Sequence, residues 1–271
     1  MPPVDLVDHL GQLGKLIAQC RSLRSLNIYG VRRVYRWSPI PFTRALDANC
    51  QRIVKPFMNG TSFPHVTELE LTNFCICPGY TDRNGDEEDW ANFIPWSSLR
   101  KLKLNCPSFL LKYGSRLQNL RSLALRLHSR SQFEIINCPK PHDNNTIKTA
   151  LLSLQRLTEL DLQNGIGAID EEVIEHFGPS LKRLVILDDG ERSMIRNAVH
   201  LSVDHLRHLG THAPFLEELN INTPLDELSY HELCDTLSEH MNFDRSLVLP
   251  SAIWNADLSV SDQTPFINTT L

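Results

Sequence analysis

Three histidines, His205, His208 and His212, fall at i, i+3 and i+7 of a stretch with helical periodicity, so they lie near one face. Imidazoles placed in this way offer nitrogen ligands to zinc, but the sequence sets no cysteine or carboxylate beside them. Leu206 and Leu209 interleave, and the stretch reads as a solvated amphipathic helix. Asp82-x-Asn84-x-Asp86 opens like a calcium loop and then departs from it. Glu87 stands where the turn needs glycine, and Phe93 where the closing glutamate belongs. Gly165-Ile-Gly167, with Asp188-Asp189 after the next strand, mimics a dinucleotide fingerprint. Its third glycine position is Asp170, whose charge would face the pyrophosphate, and the preceding strand (Thr158, Glu159, Asp161) is too polar for a Rossmann centre. Cys75-Ile-Cys77 reads as small core residues before it reads as a metal site. The chain carries no Gly-x-Ser-x-Gly and no cysteine with a recognisable partner motif. The residues therefore predict a protein that is not an enzyme, with no catalytic residue, cofactor or metal.

What positions these residues is a recurring phrase: an aliphatic residue, two positions, another aliphatic, one position, a third. It occurs seven times, as Leu23-Leu26-Ile28, Val66-Leu69-Leu71, Leu99-Leu102-Leu104, Leu120-Leu123-Leu125, Leu157-Leu160-Leu162, Leu181-Leu184-Ile186 and Leu216-Leu219-Ile221. This is the core of a leucine-rich repeat, a short strand followed by a returning helical segment. One unit cannot bury its apolar edge alone, so the units must stack. The expected fold is α/β, an irregular right-handed leucine-rich-repeat solenoid (a horseshoe) with a parallel sheet on its concave face and helices on its convex face. The steps between repeats are 43, 33, 21, 37, 24 and 35 residues, so several units carry insertions. The solenoid is expected over 1–240, with insertions near 30–62, 76–96 and 129–145, and a cap or tail over 241–271. Helices are predicted on the face of Leu6, Leu10, Leu13, Leu16 and Ile17, over Thr146 to Leu154, over Ile169 to Phe177 with Asp170 at the N-cap and Gly178-Pro179 closing it, over Ser202 to Leu209 with Gly210 ending it, and over Leu225 to His240.

Bulk properties narrow the function classes. A net charge of −5 and a pI near 6.1 give no electropositive footprint for nucleic acid. The opening MPPVDLVDHL lacks the pattern of a secretory signal, and no apolar run approaches the ~18 residues of a membrane span. Seven irregularly spaced cysteines read as reduced thiols, which points to the cytoplasm, the nucleus or both. The sequons at Asn59, Asn144 and Asn268 read as chance in that setting.

Cys20-Arg-Ser-Leu23-Arg-Ser-Leu26-Asn-Ile28 resembles the cysteine-containing repeats of F-box/LRR proteins, which run C-P-x-L-x-x-L-x-L ahead of a short acidic-capped helix. Ile169 through Ile186 and Val203 through Ile221 look similar, and the irregular insertions are reminiscent of fungal members. The resemblance covers roughly residues 6–225. It implies a non-catalytic protein-interaction module, the substrate-recognition part of a ubiquitin ligase receptor. It also implies a ligase adaptor and a cullin as partners, reached through an F-box that is missing here or carried separately. Two departures stand out. No F-box precedes the array, and the asparagine ladder of many repeats is absent from its usual place, held here by Val31, Phe74 and Gly165. A repeat-only scaffold or adaptor without a ligase link is the alternative.

In x-L-x-L-x the pleat sends the leucines inward and the intervening residues to the concave face. That face is expected to carry Tyr29; Glu68 and Glu70; Lys101, Lys103 and Asn105; Arg126; Glu159 and Asp161; and Arg183, Val185 and Leu187. Two readings stay open. The charges form lateral pairs, Glu68–Lys101, Glu70–Lys103 and Glu159–Arg183, or the face binds a protein with Tyr29, Val185 and Leu187 as anchors. The apolar pair Val185-Leu187 is either exposed or covered by an insertion. Trp90, with Trp96, is a natural interface anchor of the acidic loop or a pin that holds it down.

Overall fold

The computed structural model describes residues 15–29, 63–72, 95–105, 107–127, 143–187, 202–222 and 247–248. All seven phrases form strands: β1 (Ser25–Tyr29), β2 (Glu68–Thr72), β3 (Lys101–Leu104), β4 (Ser122–Arg126), β5 (Glu159–Gln163), β6 (Arg183–Leu187) and β7 (Glu218–Asn222). An eighth, β8 (Leu247–Val248), lies in the segment expected to form a cap. They make one sheet in sequence order, and every neighbouring pair is parallel. The register aligns phrase with phrase: Leu69 beside Leu102, then Leu123, Leu160, Leu184 and Leu219. Parallel neighbours need a connection that returns the chain to the same end of the sheet, and among the described residues an α-helix lies in each connection from β3 to β7.

One backbone device recurs at every junction from β1 to β7. The residue after the first aliphatic of each phrase turns its carbonyl to the next repeat, where two successive N–H groups donate to it. Arg24 O accepts from Thr67 and Glu68 at 2.8 and 3.0 Å, and Thr67 O from Arg100 and Lys101 at 2.7 and 3.0 Å. Arg100, Arg121, Thr158 and Lys182 repeat the arrangement in turn. Its geometry is indifferent to whether 21 or 43 residues intervene. Hydroxyls reinforce it. Ser98 Oγ donates to Val66 O at 2.8 Å, and Ser180 Oγ to Leu157 O at 2.8 Å.

At the other end of the strands two asparagines do comparable work. Asn105 was expected on the open face, but it is buried and Nδ2 donates to Arg126 O at 3.0 Å. The strand ends at Leu104, so the alternation that placed Asn105 lapses there. Asn164 is buried with φ of 61°, donating Nδ2 to Leu127 O at 2.9 Å and its N–H to Leu187 O at 2.7 Å. That left-handed conformation suits asparagine better than most residues. Strand-bridging asparagines therefore exist, one or two positions after the last core aliphatic of their phrases.

Helical segments pack on the leucine side of the sheet. They are α1 (15–19), α2 (Ser108–Tyr113), α3 (Asn144–Leu152), α4 (Glu171–Phe177) and α5 (Val203–His212). Phe109, Ile147, Val173, Phe177, Leu206 and Leu209 join the strand leucines in one buried core. Each such side chain contributes roughly 1.5–3 kcal/mol over its exposed state. The core loosens at its ends, where Leu23, Leu26 and Leu216 are only partly buried. The α2 helix lacked a sequence signal, because a step of 21 residues leaves room for little more than one turn and a half. Trp96, buried in the turn before β3, stacks on Tyr113 and meets Phe109 edge-on, so it is a pin. The helix predicted over Leu225 to His240 lies outside the described residues.

Capping follows the sequence. Asp143, Asp170 and Ser202 each accept a hydrogen bond from the backbone N–H three residues on. Asp170 also binds Lys148 Nζ at 2.6 Å, and Glu172 binds the same ammonium at 2.5 Å, tying α3 to the start of α4. Burial pushes the Asp170 carboxyl up, but hydrogen bonds from Lys148 and the Val173 N–H outweigh it and hold the group below its ordinary value. The two carboxylate hydrogen bonds hold Lys148 above its ordinary value. Unlike the prediction, α5 continues through Gly210 to His212, with Ala213 as its C-cap. Gly178, which follows α4, explains how closely the two helices meet. A Cβ there would fall onto the His212 carbonyl oxygen and within 2.6 Å of Ile174 O.

Candidate functional site

Side chains that alternate with the leucines point away from the helices and form three rows across the sheet. The first runs Ser25, Glu68, Lys101, Ser122, Glu159, Arg183, Glu218. The second runs Asn27, Glu70, Lys103, Ala124, Asp161, Val185, Asn220. Thr72, paired through its backbone with Tyr29, begins the third, which resumes with Arg126, Gln163 and Leu187. Parallel in-register pairing makes this so, because each residue sits beside its counterpart in the next phrase. The structure thus brings ten of the twelve sequence-predicted side chains onto one face; Trp90 lies outside the described residues. The backbone of Tyr29 is in β1, and its side chain is not among those described.

Two of the three expected lateral pairs form. Lys101 Nζ lies 3.7 Å from Glu68 Oε1 on the exposed edge of the rows, and Lys103 Nζ lies 2.5 Å from Glu70 Oε1 in a more sheltered place. Thr72 Oγ1 also donates to Glu70 Oε1 at 3.0 Å. Arg183 takes a different partner. Its Nε donates to Glu218 Oε2 at 2.8 Å, on the β7 side, instead of turning back to Glu159. Both acids flank Arg183 in register, so the pattern alone allowed either. Each such pair contributes about 0.2–1 kcal/mol.

Between these paired flanks the middle row reads Ala124, Asp161, Val185. Val185 is only 3% exposed although it stands outside the leucine core, so it is no anchor open to solvent. Leu187 is half-buried. Beside Val185, Asp161 is half-buried, and its Oδ1 is closed off from water without a hydrogen-bond partner. A shielded, unanswered carboxylate oxygen costs about 1–3 kcal/mol. Sequence reasoning placed Asp161 on this face, but its isolation became visible only from the neighbours on either side.

The residues able to hold a metal stand on the helices. Glu175 of α4 with His208 and His212 of α5 brings three coordinating atoms within 4.8 Å of one another. His205, the third histidine of the sequence motif, is turned to Ser202, with Nδ1 2.6 Å from Oγ. The carboxylate that the sequence did not place comes from the preceding repeat. No helix among the described residues is long and apolar enough to cross a membrane. Comparison of the chain with protein-family models, with curated proteins and with solved structures finds no match.

Proposed function

We propose that the chain is a leucine-rich-repeat solenoid that binds a protein partner through the concave face of its sheet, opposite the described helices, and performs no chemistry itself. Support for the repeat reading comes from seven aligned phrases and from one backbone junction recurring between them. The observation that carries the binding reading is Asp161. Its Oδ1 is an acceptor without a donor, mid-face, between stretches whose charges already pair among themselves. A partner whose docking shifts the side chains that shield this oxygen can offer it an arginine, a lysine or a backbone N–H, gaining a charge-assisted bond and relieving the free protein's deficit.

The resemblance to F-box/LRR proteins supports a narrower reading, the substrate-recognition part of a ubiquitin ligase receptor. The test is affinity capture of the tagged full chain from its own cells, beside a Lys101→Glu, Lys103→Glu variant checked for an unchanged circular dichroism spectrum. Binding through this face predicts that at least one captured protein disappears with the variant. Retention of every partner would place the interface elsewhere. A cullin and its adaptor among the captured proteins would support the ligase role. Face-dependent partners without ligase subunits would make the chain a repeat-only scaffold.

A further inference from the structure

On the helix side, away from the proposed binding face and independent of it, α4 and α5 meet at three side chains with no established task. His208 Nε2 is sealed from water and makes no hydrogen bond. The nearest acid, Glu175, has Oε1 3.4 Å away, longer than the ~2.7–2.9 Å of a charge-assisted hydrogen bond. One turn on, the His212 ring stacks on that of His208 with centroids 4.0 Å apart. His212 Nδ1 is 3.0 Å from His208 O, to which it can only donate, so in the neutral ring Nε2 keeps the lone pair. Two imidazoles at i and i+4 of one helix, faced by a carboxylate from the preceding one, make a donor set of two nitrogens and one oxygen.

We propose that Glu175, His208 and His212 form a zinc site that clamps α4 to α5. Ligands about 2.0–2.2 Å from a tetrahedral zinc lie roughly 3.4 Å apart. The Glu175–His208 edge already has that spacing, and all three coordinating atoms lie within 4.8 Å of one another, so the remaining closure is of side-chain size. Imidazole and carboxylate together favour zinc over calcium or magnesium, which take oxygen sets. A cation would supply what His208 Nε2 lacks, an electron-pair acceptor in a place water does not reach. Three protein ligands leave the fourth position, on the side of the exposed Glu175, to water. Gly178 keeps the two backbones close enough for the set to converge.

The experiment uses the purified full chain, stripped with a chelator and titrated with zinc alone against a chromophoric indicator. Thermal unfolding with and without zinc is the second readout. The clamp predicts one competing site and a melting temperature raised by zinc. Glu175→Gln, at an exposed residue whose change leaves the core intact, is expected to weaken zinc binding by more than about tenfold, and His212→Gln by more still. His205→Gln, on the same helix but outside the set, is expected to change neither readout. Equal zinc affinity in the wild type, Glu175→Gln and His212→Gln would overturn the proposal, as would the absence of a competing site. Loss of binding in His205→Gln to the same degree would also overturn it, by showing diffuse attraction to surface histidines.

Discussion

The two faces of this sheet are built from the same strands and obey different rules. On the packed face each leucine has the same leucine beside it, strand after strand, and the helices close over the row. On the open face neighbours differ in charge and size. The β2–β3 and β6–β7 flanks are settled by ion pairs, while the stretch between them leaves Asp161 Oδ1 unanswered. The packed face is optimised for the chain itself. The open face is not, and a protein commonly gives up stability where its surface serves something else.

Substitution on each face sharpens this contrast. The largest effect belongs to the packed face. Leu160→Ala, at a side chain 1% exposed in the middle of the sheet, is expected to lower unfolding free energy by about 2–5 kcal/mol in chemical denaturation. A loss below about 1 kcal/mol would mean that the leucine stack is not the core described. Next comes the helix layer over that face. Gly178→Ala forces a methyl group against the His212 carbonyl, and about 1–3 kcal/mol should be lost as the helices part.

Asp170→Ala removes the α4 cap and should cost about 1 kcal/mol. It also changes the pH profile. The folded Asp170 holds its proton more weakly than the unfolded chain does, so its contribution is present above the ordinary aspartate value and disappears as pH falls through the lowered one. Lys148 has the opposite sign. Its contribution is intact below the ordinary lysine value and is lost as pH rises through the raised one. The wild type should therefore show a stability plateau between these limits, and Asp170→Ala should remove this carboxyl's part of the acid slope. An unchanged acid limb in urea titrations at several pH values would show that the pair does not carry it.

The same contrast explains what the sequence made legible. Leucine positions fix strands, register and the packed face, because burial is set by residue type at a period of two. They do not fix which of two flanking acids an arginine takes, as Arg183 shows by choosing Glu218. Asn105 went astray because alternation was extended one residue past the strand. Glu175 could not be assigned to the histidines of α5 because their meeting depends on how successive returning helices stack, which neither motif spells out. The helix over Ser202 to Leu209 runs further than predicted because α5 accommodates Gly210 in its interior, and that extension brings His212 into reach.

The central claim, that the open face is maintained for a partner at some cost to the free chain, is tested most directly by Asp161→Ala read in two ways at once. Denaturation should show a stability gain of about 1 kcal/mol, because an unanswered buried oxygen is removed. Affinity capture should show weakened retention of the partner that the wild type holds. A loss of stability, or a gain with the partner held as firmly as before, would contradict the account.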